Sequence, residues 1–195
     1  MFDILIRTSG RPNFFDRCYK SVVAQKEKYR IIVSVDDQET LEYVKKYPVL
    51  IIRVKQGRIE RMAPCPWNQY FNSLLIRAHS WIIYLDDDVT MLPGALTKIK
   101  EHCTDKREVI VWKYKFTSGR VIPEEEFWEK APTRKHIDTG CFCHHKSQQV
   151  HWVTLRASDW RVVRQLWDRK LNFKWIDEVL FEAGNNGTNG TRKDL

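Results

Sequence analysis

The 195-residue chain has no apolar run approaching the ~20 residues that would span a bilayer. Its first residues, Met1-Phe2-Asp3-Ile4-Leu5-Ile6-Arg7, lack a basic segment followed by a long apolar one. They read as a first strand and not as a secretion signal, so the expected location is the cytoplasm. Glycine is scarce, and the first turn, Arg7-Thr8-Ser9-Gly10-Arg11-Pro12, holds only one. That argues against a Gly-rich phosphate loop after the first strand. No RNP-like, zinc-finger or helix-turn-helix signature is present. The five cysteines are an odd number, which with no secretion signal reads as reduced thiols. Cys141-x-Cys143-His144-His145 is too closely spaced to complete a zinc tetrahedron, and no second Cys pair has the usual spacing. The two cysteines are expected to alternate onto one face of a strand.

What is present indicates a globular protein. A hydrophobic content of 43% over 195 residues gives ample chain to bury one core, so a single domain is expected. Eight Trp is high; most should pack in the core, with one or two left as flat pocket walls. The net charge of +8 suits a phosphate-bearing ligand, a nucleic acid or an anionic membrane surface. The basic residues are scattered apart from Arg161, Arg164, Arg169, Lys170 and Lys174, so charge alone does not argue for nucleic acid, and none is expected as a partner.

The most informative segment is Asp86-Asp87-Asp88, which closes the apolar run Trp81-Ile82-Ile83-Tyr84-Leu85. Adjacent carboxylates raise one another's pKa and cost stability unless something neutralises them. A hard divalent cation such as Mg²⁺ or Mn²⁺, which prefers oxygen ligands, does so most simply. The triplet lies between a buried strand and a helix expected to begin near Pro93.

Strands are expected over 2–8, 31–35, 49–54, 81–85, 109–116 and 137–144. Helices are expected over 14–25, 39–46, 66–79 and 93–102, and from an N-cap at Ser158 to about Arg169. Strands that are apolar throughout and alternate with helices predict an α/β fold, with a mostly parallel central sheet covered on both faces. Ligands then bind at the carboxyl ends of the strands. Three strands end in polar groups, Thr8-Ser9-Gly10-Arg11, Asp36-Asp37 and Asp86-Asp87-Asp88, and are expected to meet on one rim. The polar 117–135 connection is long enough to be a functional or mobile loop, and its Trp128 is placed either on an acceptor or against the core. The tail 185–195 is read as flexible, or as a linker to further domains.

A strand, an aspartate pair, an Asn-bearing helix and then Tyr-Leu-Asp-Asp-Asp-x-x-x-x-Pro-Gly-Ala-Leu resembles a GT-A fold glycosyltransferase, in particular the family-2 inverting enzymes. The resemblance covers roughly residues 2–183. It divides the domain 1–184 into a nucleotide-sugar half (1–102) and an acceptor and catalytic-base half (103–184). It implies Mn²⁺ or Mg²⁺ on Asp88, with Asp86 shared between metal and donor and Asp87 assisting. It implies nucleotide contacts from Thr8, Ser9, Arg11 and Asp36 or Asp37. The family's Arg-Asn in the helix before the aspartates corresponds to Phe71-Asn72, so Asn72 keeps a donor role while Arg58 or Arg61 replaces the missing Arg. Asp138, Thr139 and Gly140 resemble the acceptor segment. Ala157-Ser158-Asp159-Trp160 resembles the family's Glu-Asp-Trp helix, which makes Asp159 the general base. The family's late metal-binding His is missing, and His144 or His145 is the candidate to replace it.

The implied activity is inverting, metal-dependent transfer from a UDP-sugar to a hydroxyl of a glycan or other acceptor. A sugar-phosphate nucleotidyltransferase shares the architecture, and a basic nucleic-acid- or glycan-binding module is the non-enzymatic alternative.

Overall fold

A computed structural model describes residues 1–55 and 64–183. The calls on Arg58, Arg61 and the 185–195 tail lie outside these residues. The fold is α/β, built on a nine-stranded mixed sheet in the order β3-β2-β1-β4-β8-β6-β9-β5, with β7 paired to β6.

The N-terminal half supplies the parallel part of the sheet. Strands β1 (Phe2–Arg7), β2 (Tyr29–Val35), β3 (Leu50–Arg53) and β4 (Trp81–Asp86) pair in parallel. Ile4, Leu5, Ile6, Ile32, Val33, Ile82, Ile83 and Leu85 are fully buried, as strands covered on both faces require. Helix α1 (Pro12–Val23) opens with Pro12, which has no N–H to leave unbonded, and buries Phe15, Cys18 and Val22. Helix α2 (Gln38–Val44) is capped by the Asp37 carboxylate, which accepts the Thr40 N–H at 2.6 Å.

Helix α3 (Gln69–Leu75) is shorter than its apolar stripe predicts. A 3₁₀ turn, Pro66–Asn68, precedes it. After Leu75, Arg77 and Ala78 bond back only three residues, and the N–H groups of His79 and Ser80 turn to the buried Asp3 carboxylate. A distant side chain therefore ends the helix.

The C-terminal half mixes directions. Strand β8 (Phe142–His145) is antiparallel to β4 and to β6 (Glu108–Lys115), and β6 is parallel to β9 (Asn172–Ala183). A short strand that sequence reasoning missed, β5 (Val89–Met91), follows the aspartates and pairs antiparallel with the far end of β9. Its partner is about ninety residues away in the chain, so no local pattern announces it. Helix α4 (Ala95–His102) starts after Gly94, whose φ of 78° needs glycine. Strand β8 starts five residues later than expected, because Asp138 and Cys141 cap one another across a 3₁₀ turn, Thr139–Cys141. Helix α5 (Ser158–Asp168) has Ala157, not Ser158, at its N-cap, with φ of 55°. Ser158 is instead the first helical residue, and its hydroxyl accepts the Val153 N–H at 3.1 Å.

The 117–135 connection is tied to the body of the protein. Its β7 (Val121–Ile122) pairs with β6, Phe127 stacks on His136 at 3.5 Å, and Pro132 accepts the Trp160 indole N–H at 2.9 Å. Among the described residues, no helix is long and apolar enough to cross a membrane.

Candidate active site

The carboxyl ends of β1, β2 and β4 meet on one rim. Arg7 and Asp86 are register partners in adjacent parallel strands, so their side chains leave the sheet on the same face. The Arg7 guanidinium forks both Asp86 oxygens, through Nε and through Nη2 at 2.9 Å. Its remaining Nη1 donates to Asn68 Oδ1 at 2.8 Å, and its Cζ lies 4.7 Å from the Phe71 ring centre. Burial pulls this guanidinium's pKa down, but the charges of Asp86, Asp138 and Asp159 leave it raised overall.

Asp87 points inward and is completely buried. It accepts from Thr8 Oγ1 at 2.7 Å and is ion-paired with Arg11. Burial still pushes its carboxyl up to about 7, against the pull of Arg11 and Thr8. Asp88 is 19% exposed, with one oxygen 3.3 Å from Arg11 Nη1. Burial and the neighbouring Asp86 charge raise its pKa. The triplet thus divides: Asp86 is neutralised by Arg7, Asp87 is an internal strut on Arg11 and Thr8, and Asp88 touches Arg11 more loosely and is partly open to solvent. Asp87 and Thr8 are both buried and bonded to one another, and Thr8 also bonds Tyr43 Oη at 2.8 Å, so the structure places them beneath the rim surface.

Asp36 accepts from Tyr70 Oη at 2.6 Å, while Asp37 caps α2. Ser9 is half-buried on the same turn. The backbone N–H groups of that turn are engaged: Gly10 donates to Thr40 Oγ1 at 2.9 Å and Arg11 to Tyr43 Oη at 3.4 Å.

A second pair of carboxyls faces the rim from the C-terminal half. Asp138 lies just before the 3₁₀ turn into β8, and Asp159 in the first turn of α5. Both are half-buried, and their contacts are with backbone N–H groups: Gly140 to Asp138 at 3.3 Å, Trp160 to Asp159 at 2.8 Å. Neither forms an ion pair with a described residue. Burial raises both pKa values; the Asp159 charge adds to the rise at Asp138, and the Asp86 charge to that at Asp159. Asp138 is pushed up to about 8 and Asp159 to about 6; the Trp160 N–H and the Arg7 charge hold the second one lower.

Several sequence-derived assignments do not sit at this site. Both ends of the Asn72 amide bond the Trp152 backbone, at 2.8 Å each, so Asn72 clamps that segment. Thr139 and Gly140 are buried; a Cβ on Gly140 would lie 2.9 Å from the Tyr114 ring, so this glycine makes room for Tyr114. Trp128 packs edge-on against Trp175 with Lys113 Nζ 5.1 Å from its ring, and none of its ring contacts is with the carboxylates. His144 is buried with Nε2 2.8 Å from Tyr84 Oη, and burial lowers its pKa to about 4. His145 pairs with Trp81 at the opposite end of β4, roughly 15 Å along the strand from Asp86. Neither histidine can replace a metal ligand at the rim. A groove of about 470 Å³ beside Asn72, Ile76 and His151 contains none of these carboxylates.

Sequence reasoning missed Arg7 and Asn68. The signal for Arg7 was available: a cation ending an otherwise apolar strand needs a carboxylate on the neighbouring strand. Asn68 carried no such signal.

Among the described residues, no three His, Cys, Asp or Glu side chains form a ready-made metal cage. The oxygen donors still fit a hard cation in one way. Asp86 is engaged by Arg7. Asp88 touches Arg11 through one oxygen, is partly open to solvent, and has a raised pKa that a cation would relieve.

No family model and no curated protein sequence matches the chain. Solved structures do. The chain is similar to S. aureus TarS 1-349 in complex with UDP-GlcNAc, with a TM-score of 0.71, 16% identity, and 97% of this chain and 61% of that one covered. It is similar to the mannosyltransferase PcManGT from Pyrobaculum calidifontis in complex with GDP-Man and Mn²⁺, with a TM-score of 0.65, 11% identity, and 96% and 58% covered. It is also similar to a Methanothermobacter nucleotidyl transferase, with a TM-score of 0.57, 10% identity, and 95% and 88% covered. The chain therefore spans about three fifths of the length of TarS 1-349 and of PcManGT. At these identities the likeness is one of architecture, and with the mixed sheet and carboxylate rim described above it shows that this chain has the GT-A fold.

Proposed function

We propose that this chain is an inverting glycosyltransferase that moves a sugar from a nucleotide-sugar, a UDP-sugar in the first instance, to an acceptor hydroxyl. The observation that carries the reading is the arrangement of carboxyls on one rim. Asp88 on the β4 side is partly open to solvent and touches Arg11 through one oxygen, while Asp159 on the α5 side has a raised pKa and no ion pair with a described residue. Similar structures hold UDP-GlcNAc, or GDP-Man with Mn²⁺, which supports a nucleotide-sugar donor and a divalent ion.

In this reading Asp88 would hold Mn²⁺ or Mg²⁺, and Arg11, which touches Asp88, would face the donor diphosphate. The bound ion would neutralise charge building on the departing diphosphate. Asp159 takes the proton of the acceptor hydroxyl as that oxygen attacks the anomeric carbon. The bond from that carbon to the diphosphate breaks, the nucleoside diphosphate leaves, and the configuration inverts. A carboxyl with a pKa near 6 is a competent base at neutral pH. In this reading Asp138 binds an acceptor or donor hydroxyl. Asp36 and Ser9 remain the candidates for ribose and base.

The alternative is nucleotidyl transfer, since one similar structure is a nucleotidyl transferase. The first turn speaks against it: its Gly10 and Arg11 N–H groups are already bonded to α2 and do not form a phosphate cradle. Products separate the two. Incubation with a panel of UDP-hexoses, Mn²⁺ and glycan acceptors should release UDP. Pyrophosphate release from UTP and a sugar phosphate, without UDP release, would favour nucleotidyl transfer.

A further inference from the structure

The rim has two halves, and one side chain joins them. Arg7 is 14% exposed and holds Asp86 with two of its nitrogens. Its third nitrogen goes to Asn68 Oδ1 at 2.8 Å. Asn68 is 6% exposed, and its amide nitrogen donates to the carbonyls of Val153 and Leu155, at 3.1 Å each. Val153 N–H in turn donates to Ser158 Oγ at 3.1 Å, at the start of the helix that carries Asp159. Cys65 N–H, bonded to the Thr154 carbonyl at 3.0 Å, braces the same segment. An unbroken chain of hydrogen bonds thus runs from the end of β4, through Arg7 and Asn68, to the turn that presents Asp159.

Every group in this chain is satisfied by the others. Arg7 spends its guanidinium on Asp86 and Asn68 and rests on the Phe71 ring. Asn68 spends both ends of its amide. A planar guanidinium forked onto a carboxylate fixes angle as well as distance, which an ammonium does not. The 153–157 segment has no strand or helix of its own and ends at Ala157 in a left-handed conformation. Its position depends on such side-chain ties.

We propose that Arg7, acting through Asn68, is a positioning residue that sets Asp159 in register with the donor-side carboxylates. The proposal rests on the glycosyltransferase reading for its kinetic consequences but not for its structural one. Displacement of a base by about 1 Å costs on the order of 10²-fold in rate with little effect on binding.

The test uses Asn68→Ala, Arg7→Lys and the double variant, each checked for folding by circular dichroism. Deuterium exchange at residues 153–160 should rise in Asn68→Ala and Arg7→Lys while the β1, β2 and β4 amides stay protected. UDP affinity with Mn²⁺ should stay within about threefold, while UDP release from UDP-hexose in the presence of acceptor falls on the order of 10²-fold. The double variant should lose no more than the worse single one, since both cuts break one chain. Parent-like exchange at 153–160 in Asn68→Ala would overturn the proposal. So would rate losses that multiply in the double variant. If Arg7→Lys fails to fold, Asn68→Ala alone decides. If the parent turns over no donor, the glycosyltransferase reading fails, while the exchange result still judges the bridge.

Discussion

The β4 side and the α5 side of the rim pair their carboxylates differently. On the β4 side, Asp86 is forked by Arg7, Asp87 is held by Arg11 and Thr8, and Asp88 touches Arg11 through one oxygen. On the α5 side, Asp138 and Asp159 form no ion pair with a described residue and accept from backbone N–H groups. Burial raises pKa values on both sides, at Asp87 and Asp88 as at Asp138 and Asp159, so the difference lies in the paired cations. In the proposed reaction a diphosphate and its cation would dock against the paired side, and a proton would move at the pair of acids on the unpaired one. A site that only bound anions would need no such pair, because the two acids oppose both an anion and each other.

The largest effect should come from removing the reactive acid. Asp159→Asn should keep UDP binding and lower transfer on the order of 10³-fold. In the parent, transfer should fall as pH drops through about 6, where the base takes a proton; this limb should vanish from the residual rate of the variant. Full activity in Asp159→Asn would remove the base assignment.

The donor side should respond in stability first. Arg11→Ala leaves Asp87 buried without its cation and should destabilise the fold by about 3 kcal/mol or more, read from urea denaturation. An unchanged midpoint would mean that Asp87 is not the internal strut described above.

Asp138→Asn probes the acceptor side with the opposite sign. The raised native pKa means that the folded state binds more protons than the unfolded one, from about pH 4 up to about 8. Asp138 therefore costs stability progressively as pH rises through that window. The Asn variant keeps an acceptor for the Gly140 N–H and loses that cost. Its melting temperature should match the parent near pH 4 and exceed it by about 3 °C or more at pH 8. A lower melting temperature at pH 8 would show that Asp138 is stabilised in its charged form.

The smallest effect is expected away from the rim. Asn72→Ala breaks two bonds to the Trp152 backbone and should cost about 2 kcal/mol of stability with UDP affinity unchanged. A selective loss of UDP binding would return Asn72 to the donor site.

The same contrast explains what could be read from the sequence. The strands of the parallel half were legible because apolar runs are local signals, and the aspartates stood at the end of such a run; that α1 begins at Pro12, two residues before the expected start, and that Asp37 caps α2 were not read from the sequence. The ends of α3 and β8 and the existence of β5 were not, because Asp3, the Asp138–Cys141 cap and the far end of β9 act across the fold. The residue types of the rim were legible, but the division of labour was not. That Asp87 faces inward, that Asp86 belongs to Arg7, and that Asn72 serves Trp152 all depend on which side chains the register brings together.

The most direct test of the central claim is calorimetric titration of UDP, with GDP as control, with and without Mn²⁺, in the parent and in Asp88→Ala. UDP should bind the parent more tightly with Mn²⁺ than without, and Asp88→Ala should lose that metal-dependent gain while remaining folded. GDP binding in place of UDP would keep the site and change the donor. No metal-dependent binding of either nucleotide to the folded parent would contradict the account.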